Sequence, residues 1–159
     1  MKKDEIRTLA VEHFKQYKDT DCGRYGKEFE LSVKRYMNGR RGNITYVACK
    51  GHVDMYYKGM KFEIKSNCGE INDDIFRNKF VVYSPQNEID YLQPWNAKVL
   101  TPTQFVDEVK NCGLYRTKKS TGGYIKNAIQ SYKNSKKKSA LWTKTLEQFE
   151  TLENFKNRV

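Results

Sequence analysis

The chain is most informative first in what it lacks. No run approaches the roughly 20 apolar residues that a membrane-spanning helix needs. The N-terminal Met1-Lys-Lys-Asp-Glu leads into an amphipathic segment and not into the apolar core of a secretory leader. The expectation is a cytoplasmic protein that makes no use of a membrane. The four cysteines, Cys22, Cys49, Cys68 and Cys112, are far apart and form no C-x-x-C pair. A zinc site built from them with His13 or His52 is a weak reading. Free thiols in a reducing compartment is the simpler one. No internal repeat and no long disordered linker is present, which sets aside solenoids and arrays. Acids are the scarcer charge, with 19 Asp and Glu against 30 Lys and Arg, a formal net charge of +11.

That charge says nothing about fold but predicts attraction to polyanions. Nucleic acid is the first candidate partner, and an acidic protein or a membrane surface the second. A length of 159 residues suggests one domain with a small appended part. The composition changes near residue 112, so residues 1–112 are expected to form a core that includes an N-terminal helix. Residues 113–159 are expected to form a basic, helical C-terminal extension.

In residues 3–17, Ile6, Leu9, His13, Phe14 and Tyr17 recur at helical spacing. Tyr25–Met37 is a second expected helix, with Phe29, Val33, Tyr36 and Met37 as its buried stripe. Glu28 and Glu30 lie near the edges of that stripe, where acids also simply complement the helix dipole. Asn38–Asn43 is a Gly-rich loop whose Arg40 and Arg41 suit a phosphate backbone, though a solvated turn explains them equally well. Ile44–Cys49 is an expected strand. The polar stretch from Asn67 to Asn78 reads as a loop or the start of a short helix. Phe80–Tyr83 and Ala97–Leu100 are expected strands, with irregular chain over Ile89–Trp95. Thr101 then caps a helix that has Pro102 at its first position and turns Phe105, Val106 and Val109 inward.

Arg116–Lys138 contains Arg116, Lys118, Lys119, Lys126, Lys133, Lys136, Lys137 and Lys138 and no acid. Tyr124 and Tyr132 stand among these lysines, and Tyr124–Tyr132 is expected to be a short helix. Cations interleaved with aromatics suit a surface that tracks a phosphate backbone and stacks on bases. A solvated basic face is the competing reading. Leu141–Phe155 carries an apolar stripe expected to be a final amphipathic helix, packed on the body or on a second copy.

The stretch with the most chemistry is His52–Ser66, H-V-D-M-Y-Y-K-G-M-K-F-E-I-K-S. Val53–Tyr57 and Met60–Ile64 flank Lys58-Gly59, the pattern of a β-hairpin. With a two-residue loop, Tyr57 pairs with Met60 and Asp54 falls opposite Glu63. Like charges directly opposite are destabilising unless something offsets them. A divalent cation is the obvious candidate, since Mg²⁺ is commonly held by one or two carboxylates plus waters and phosphate oxygens. Lys65 projects to the same side as Glu63, and Phe62 and Ile64 to the other. Lys58 fits poorly the positive φ of a type I′ turn, so a three-residue loop with Gly59 as a bulge is the alternative.

The order helix, strand, hairpin, helix, strand, with D-x₈-E-x-K across the hairpin at Asp54, Glu63 and Lys65, resembles the PD-(D/E)xK nuclease superfamily, which includes restriction endonucleases and archaeal-type Holliday junction resolvases. Val53 stands where that family often has Pro. The resemblance spans roughly residues 24–110. It implies an α/β fold with a mixed sheet and a restriction endonuclease-like αβββαβ core. It implies a Mg²⁺-dependent DNA endonuclease, with Mn²⁺ as a possible substitute. In the resolvase-like branch a Gly-x-x-x-Glu opens the first core helix, which here is Gly26 and Glu30, with Glu28 as the fallback. The resemblance assigns the ion to Asp54, Glu63, the Ile64 carbonyl and Glu30, the last directly or through a water. It gives Lys65 the task of orienting the attacking water or steadying its hydroxide. Cutting both strands of a duplex would favour a homodimer. Two other readings use the same residues differently: a non-catalytic nucleic-acid-binding protein on a nuclease-like scaffold, or an inhibitor that binds through its basic face.

Overall fold

The hairpin forms in the register its spacing predicts. In the computed structural model, which describes residues 1–16, 24–38, 53–66, 70–84, 87–111, 115–117, 124–127 and 145–159, β1 (Met55–Tyr57) pairs antiparallel with β2 (Met60–Lys65). Tyr57 faces Met60, Tyr56 faces Lys61 and Met55 faces Phe62. The loop is the two residues Lys58-Gly59, at φ +49° and +76°. Positive φ at both central residues is what a type I′ turn requires. The bulged three-residue alternative is thereby ruled out. Lys58 accepts the left-handed conformation with its side chain tied down: Nζ donates to the Val159 carbonyl at 2.6 Å.

β2 also pairs in parallel with β4 (Phe80–Tyr83), and β4 pairs antiparallel with β5 (Lys98–Leu100), giving a mixed sheet in the order β1-β2-β4-β5. A parallel neighbour requires a crossover of a dozen or more residues. The chain between β2 and β4 includes β3 (Glu70–Asn72) and a 3₁₀ helix at Asp73–Arg77. The strand expected over Ile44–Cys49 lies outside the described residues.

Alternation along β4 sorts side chains onto the two faces of the sheet. Val82 joins Met55, Phe62, Ile64 and Val99 in a core built with α1 (Lys3–Lys15) and α2 (Arg24–Asn38). From α1 come Ile6 and Ala10, and from α2 come Phe29, Val33, Tyr36 and Met37. Val81, Tyr83 and Leu100 pack the opposite face against α4 (Pro102–Asn111), through Phe105, Val106 and Val109. The stripe residues expected on α2 and α4 are thus the buried ones. The cap on α4 is reciprocal: Thr101 Oγ1 accepts from the Gln104 N–H at 3.1 Å, and Gln104 Oε1 accepts from the Thr101 N–H at 2.9 Å. Between β4 and β5, where irregular chain is expected, lie the short α3 (Asn87–Asp90) and a 3₁₀ turn at Pro94–Asn96.

Two expectations for the C-terminal third are corrected. Tyr124–Asn127 is not the start of a helix but a strand, β7, flanked by β6 (Tyr115–Thr117) and β3 in a second, antiparallel sheet of order β3-β7-β6. Aromatic and β-branched residues such as Tyr124 and Ile125 favour a pleated strand once partners exist to pair with. The helix expected over Leu141–Phe155 is interrupted. Thr151 is extended, bridges to Lys98, and caps α5 (Leu152–Arg158) by accepting from the Asn154 N–H at 3.2 Å. The backbone around Thr151 is spent on β5 instead of helix: the Val99 N–H donates to Glu150 O at 3.0 Å, and the Leu152 N–H to Ala97 O at 2.8 Å.

α5 packs on the body. The Phe155 ring lies 5.6 Å from Phe62 and 5.0 Å from Phe80, and it is fully buried. Phe155→Ala should therefore cost about 3–4 kcal/mol in urea denaturation. Phe76→Ala, at a side chain 52% exposed, should cost under about 0.5 kcal/mol. Equal effects would mean that α5 is not part of the core.

Candidate active site

The site is assembled from the carboxyl end of β2, the residue ahead of β1, and the first half of α2. Asp54 is fixed through both its backbone and its side chain. Its N–H donates to the Phe62 carbonyl at 3.1 Å, and its Oδ2 accepts from the Ile64 N–H at 2.8 Å. The carboxylate therefore caps the ladder where β1 has ended and β2 continues. Glu63 and Lys65 lie on one side of β2, with Lys65 Nζ 3.3 Å from Glu63 Oε1. Phe62 and Ile64 go into the core on the other side.

The Ile64 carbonyl has a definite direction. Along β2, the Lys61 and Lys65 carbonyls accept from Lys79 and Ser84, on the β4 side, whereas the Phe62 carbonyl accepts from Asp54 on the β1 side. By the same alternation Ile64 C=O opens toward the β1 side, next to the Asp54 carboxylate that binds the N–H of the same residue. Ser84 pins this end of β2: its N–H donates to Lys65 O at 2.9 Å, and its Oγ donates to the buried Asp90 carboxylate at 2.7 Å.

The two helix acids separate cleanly. Glu28 is fully buried and hydrogen-bonded to His13 Nδ1, tying α2 to α1. Glu30 is part-exposed and paired with Lys34 Nζ at 2.8 Å. Its charge is felt at both hairpin acids. Gly26 explains how α2 comes so near: a Cβ there would lie 2.9 Å from Ser66 Oγ, just past Lys65. The Gly-x-x-x-Glu spacing thus combines close approach with an acid one turn later. Nothing in the sequence marks Lys34 as part of this group. Its one signal, a Lys four residues after Glu30, is common on exposed helices.

These carboxyls repel one another in a partly dry setting. Burial, then the Glu63 charge, push Asp54 up to about 7, against the lowering effect of the Ile64 hydrogen bond; Glu30 raises it further and Lys65 lowers it. Glu63 is also raised, by burial first, with Lys65 opposing and Glu30 adding to the rise. Negative charge exceeds what the two lysines neutralise. The candidate donors are oxygens only: the Asp54 and Glu63 carboxylates and the Ile64 carbonyl, with the Glu30 charge acting on both acids. That suits a hard divalent ion such as Mg²⁺ and not a soft one. Among the described residues, no three His, Cys, Asp or Glu side chains gather closely enough to enclose an ion by themselves. Mg²⁺ does not demand that, since it keeps several waters.

Of the basic residues, Arg116 and Lys126 lie on β6 and β7 directly opposite each other, and Lys126 faces Glu70 on β3. β3 begins five residues after Lys65, so Glu70 is at most roughly 18 Å of chain from Lys65, and Lys126 and Arg116 lie one and two strands beyond Glu70. Arg40, Arg41, Lys118, Lys119, Lys133, Lys136, Lys137 and Lys138 lie outside the described residues, as do Cys22, Cys49, Cys68, Cys112 and His52. Among the described residues no helix is long and apolar enough to cross a membrane. No known family model matches the chain, no characterised protein matches it in sequence, and no solved structure matches its fold.

The raised Asp54 gives a pH signature. Its ordinary value is 3.8 and its folded value about 7. Between these the folded chain keeps a proton that the unfolded chain has released. The stability this provides is complete below about pH 4 and is lost as the pH rises through about 7. In EDTA, the advantage of Asp54→Asn over the wild type should grow by about 1–3 kcal/mol from pH 5 to pH 8 in urea denaturation. A pH-independent difference would contradict the charge crowding.

Proposed function

We propose that the chain is a Mg²⁺-dependent DNA endonuclease with a restriction endonuclease-like core of the PD-(D/E)xK kind, Mn²⁺ serving as a substitute ion. The observation that carries this reading is the convergence of Asp54, Glu63, Lys65 and Glu30 at the end of β2, with like charges left unbalanced. The arrangement of α2, a hairpin and a parallel strand β4 supports the fold half of the reading.

Asp54, Glu63 and the Ile64 carbonyl would hold the ion, with Glu30 behind them. A divalent ion there supplies a more acidic water and stabilises charge on the phosphate. Lys65, whose Nζ lies 3.3 Å from Glu63 Oε1, would supply a fixed positive charge beside the reacting phosphate. A fixed cation aimed at developing negative charge costs little reorganisation when the reaction occurs. The net charge of +11 draws the polyanion in. Arg116 and Lys126, opposite each other on the second sheet, are suited to phosphates flanking the cut. Cleavage of both strands would call for two such sites, as a two-fold homodimer provides.

The test is cleavage of supercoiled, linear and four-way-junction DNA with Mg²⁺ or EDTA. Wild type should nick or cut in Mg²⁺ only, and Glu63→Ala and Lys65→Ala should lose at least about 100-fold. Equal cleavage by all three proteins would sink the reading. Binding without cleavage would favour a nucleic-acid-binding scaffold instead. Separately, Arg116→Ala with Lys126→Ala should flatten the slope of log affinity against log salt by about 0.9 for each phosphate no longer neutralised. An unchanged slope would remove β6 and β7 from the DNA footprint.

A further inference from the structure

We propose that Tyr56, Lys61 and Lys79 form a docking surface for a DNA strand on the sheet face that carries Glu63 and Lys65, the lysines taking phosphates and the Tyr56 ring taking a base. This rests on the endonuclease reading above and says where the strand lies on one side of the cut.

The strand register defines the face. Lys61, Glu63 and Lys65 alternate with Phe62 and Ile64, which are in the core, so all three lie on the outer side of β2. Tyr56 stands directly opposite Lys61 across the hairpin. Such partners share a face, with Cβ atoms roughly 5 Å apart. Glu63 is the next residue along that face of β2, about 7 Å from Lys61. On the β4 side, the Lys79 N–H donates to the Lys61 carbonyl at 2.8 Å, so the two lysines leave neighbouring points of the backbone.

Glu63 pairs with Val81 and Lys65 with Tyr83, so α4 packs on this same face. It covers the β4–β5 half only: no residue of β1 or β2 belongs to the apolar cluster that α4 closes. On the other half Lys61 and Lys79 are exposed and Tyr56 is half-buried. Neither of these two ammonium groups has an ion-pair partner, and the Tyr56 ring meets no other aromatic ring, among the described residues. Glu63, the acid nearest to Lys61 along β2, is engaged by Lys65 at 3.3 Å. Like charges on neighbouring strands repel one another, and a bound polyanion relieves that repulsion. An open aromatic ring beside cations narrows the polyanion to one with flat bases, since nucleic-acid strands are held by phosphate contacts and by stacking together. Phosphates of one strand advance about 3.4 Å along the duplex axis. The step from Glu63 to Lys61 therefore matches a phosphate about two nucleotides from the cut.

The test is binding of the full chain to a fluorescein-labelled DNA duplex in EDTA, over a series of salt concentrations. Lys61→Gln with Lys79→Gln should weaken binding at least about tenfold and flatten the slope of log affinity against log salt by about 1.8, the value for two phosphates. Lys2→Gln with Lys15→Gln removes the same charge from α1, which packs on the other face of the sheet, and should weaken binding less than about threefold. Tyr56→Ala should weaken binding at least about fivefold, and Tyr56→Phe, which keeps the ring, should match wild type. Equal losses in the two lysine pairs would reduce the effect to net charge. That outcome, wild-type affinity in Lys61→Gln with Lys79→Gln, or wild-type affinity in Tyr56→Ala would overturn the inference, and cleavage by wild type in Mg²⁺ would then leave the endonuclease reading standing. Binding that depends on Lys61, Lys79 and Tyr56 but brings no cleavage in Mg²⁺ would defeat the endonuclease reading and keep the surface. No DNA bound by wild type would defeat both.

Discussion

The hydrogen bond from the Ile64 N–H to Asp54 Oδ2, 2.8 Å long, is the contact on which the site depends. It gives the Ile64 N–H a side-chain acceptor where the backbone pairing of β1 with β2 has stopped. The substitution fixes an acid at the end of a strand pair, beside a carbonyl and close enough to Glu63 for each charge to act on the other. A carboxylate in a loop would reach the same place at a larger entropic cost, since each rotamer-rich group that must be ordered opposes binding. Here the strand ladder itself does the ordering. The same bond works against the repulsion: it lowers Asp54 while burial, Glu63 and Glu30 raise it.

Much of this is legible in the sequence because it is local. The β2 pattern, Phe62 and Ile64 inward and Glu63 and Lys65 outward, follows from the period of two. The register follows from a two-residue loop. Gly59 alone does not settle that loop, because Lys58 also has to take a positive φ, and the tether that holds it comes from Val159, 101 residues away. The choice of Glu30 over Glu28 is likewise open in the sequence, where both are acids early in one helix. A rotation of two residues along α2 sends one toward His13 and the other toward the hairpin, and only the packing of α1 against α2 decides which.

What the sequence conceals is non-local pairing. Glu70–Asn72 reads as polar loop because its strand partners, Tyr124–Asn127, lie more than 50 residues on. Neither segment is long enough for its alternation to stand out. Tyr115–Thr117 is hidden in the same way within a basic stretch whose composition dominates any periodicity. The break at Thr151 is a different case. The apolar spacing of Leu146, Phe149, Leu152 and Phe155 does suit one helix. Backbone bonds to Ala97 and Val99 on β5 compete with that helix and win. Lys34 is invisible in the sequence because burial, and not residue type or spacing, sets it apart.

The C-terminal segment supports the candidate site from behind. Phe155 seats against Phe62, the core-facing neighbour of Glu63, and against Phe80 on β4. Lys156 Nζ donates to the Tyr36 carbonyl at 2.6 Å, at the far end of the helix that carries Glu30. Lys58 Nζ donates to the Val159 carbonyl, holding the hairpin turn. One short helix therefore touches the turn, the inward face of β2 and the end of α2, the elements whose relative placement sets where Asp54, Glu63 and Glu30 meet. Acids that repel one another need a frame that does not yield, because a small relaxation of either element would relieve the repulsion and spread the donors apart. The packing of α5 resists that relaxation. The hydrophobic contacts at the back of β2 and the charge crowding at its end are thus parts of one balance.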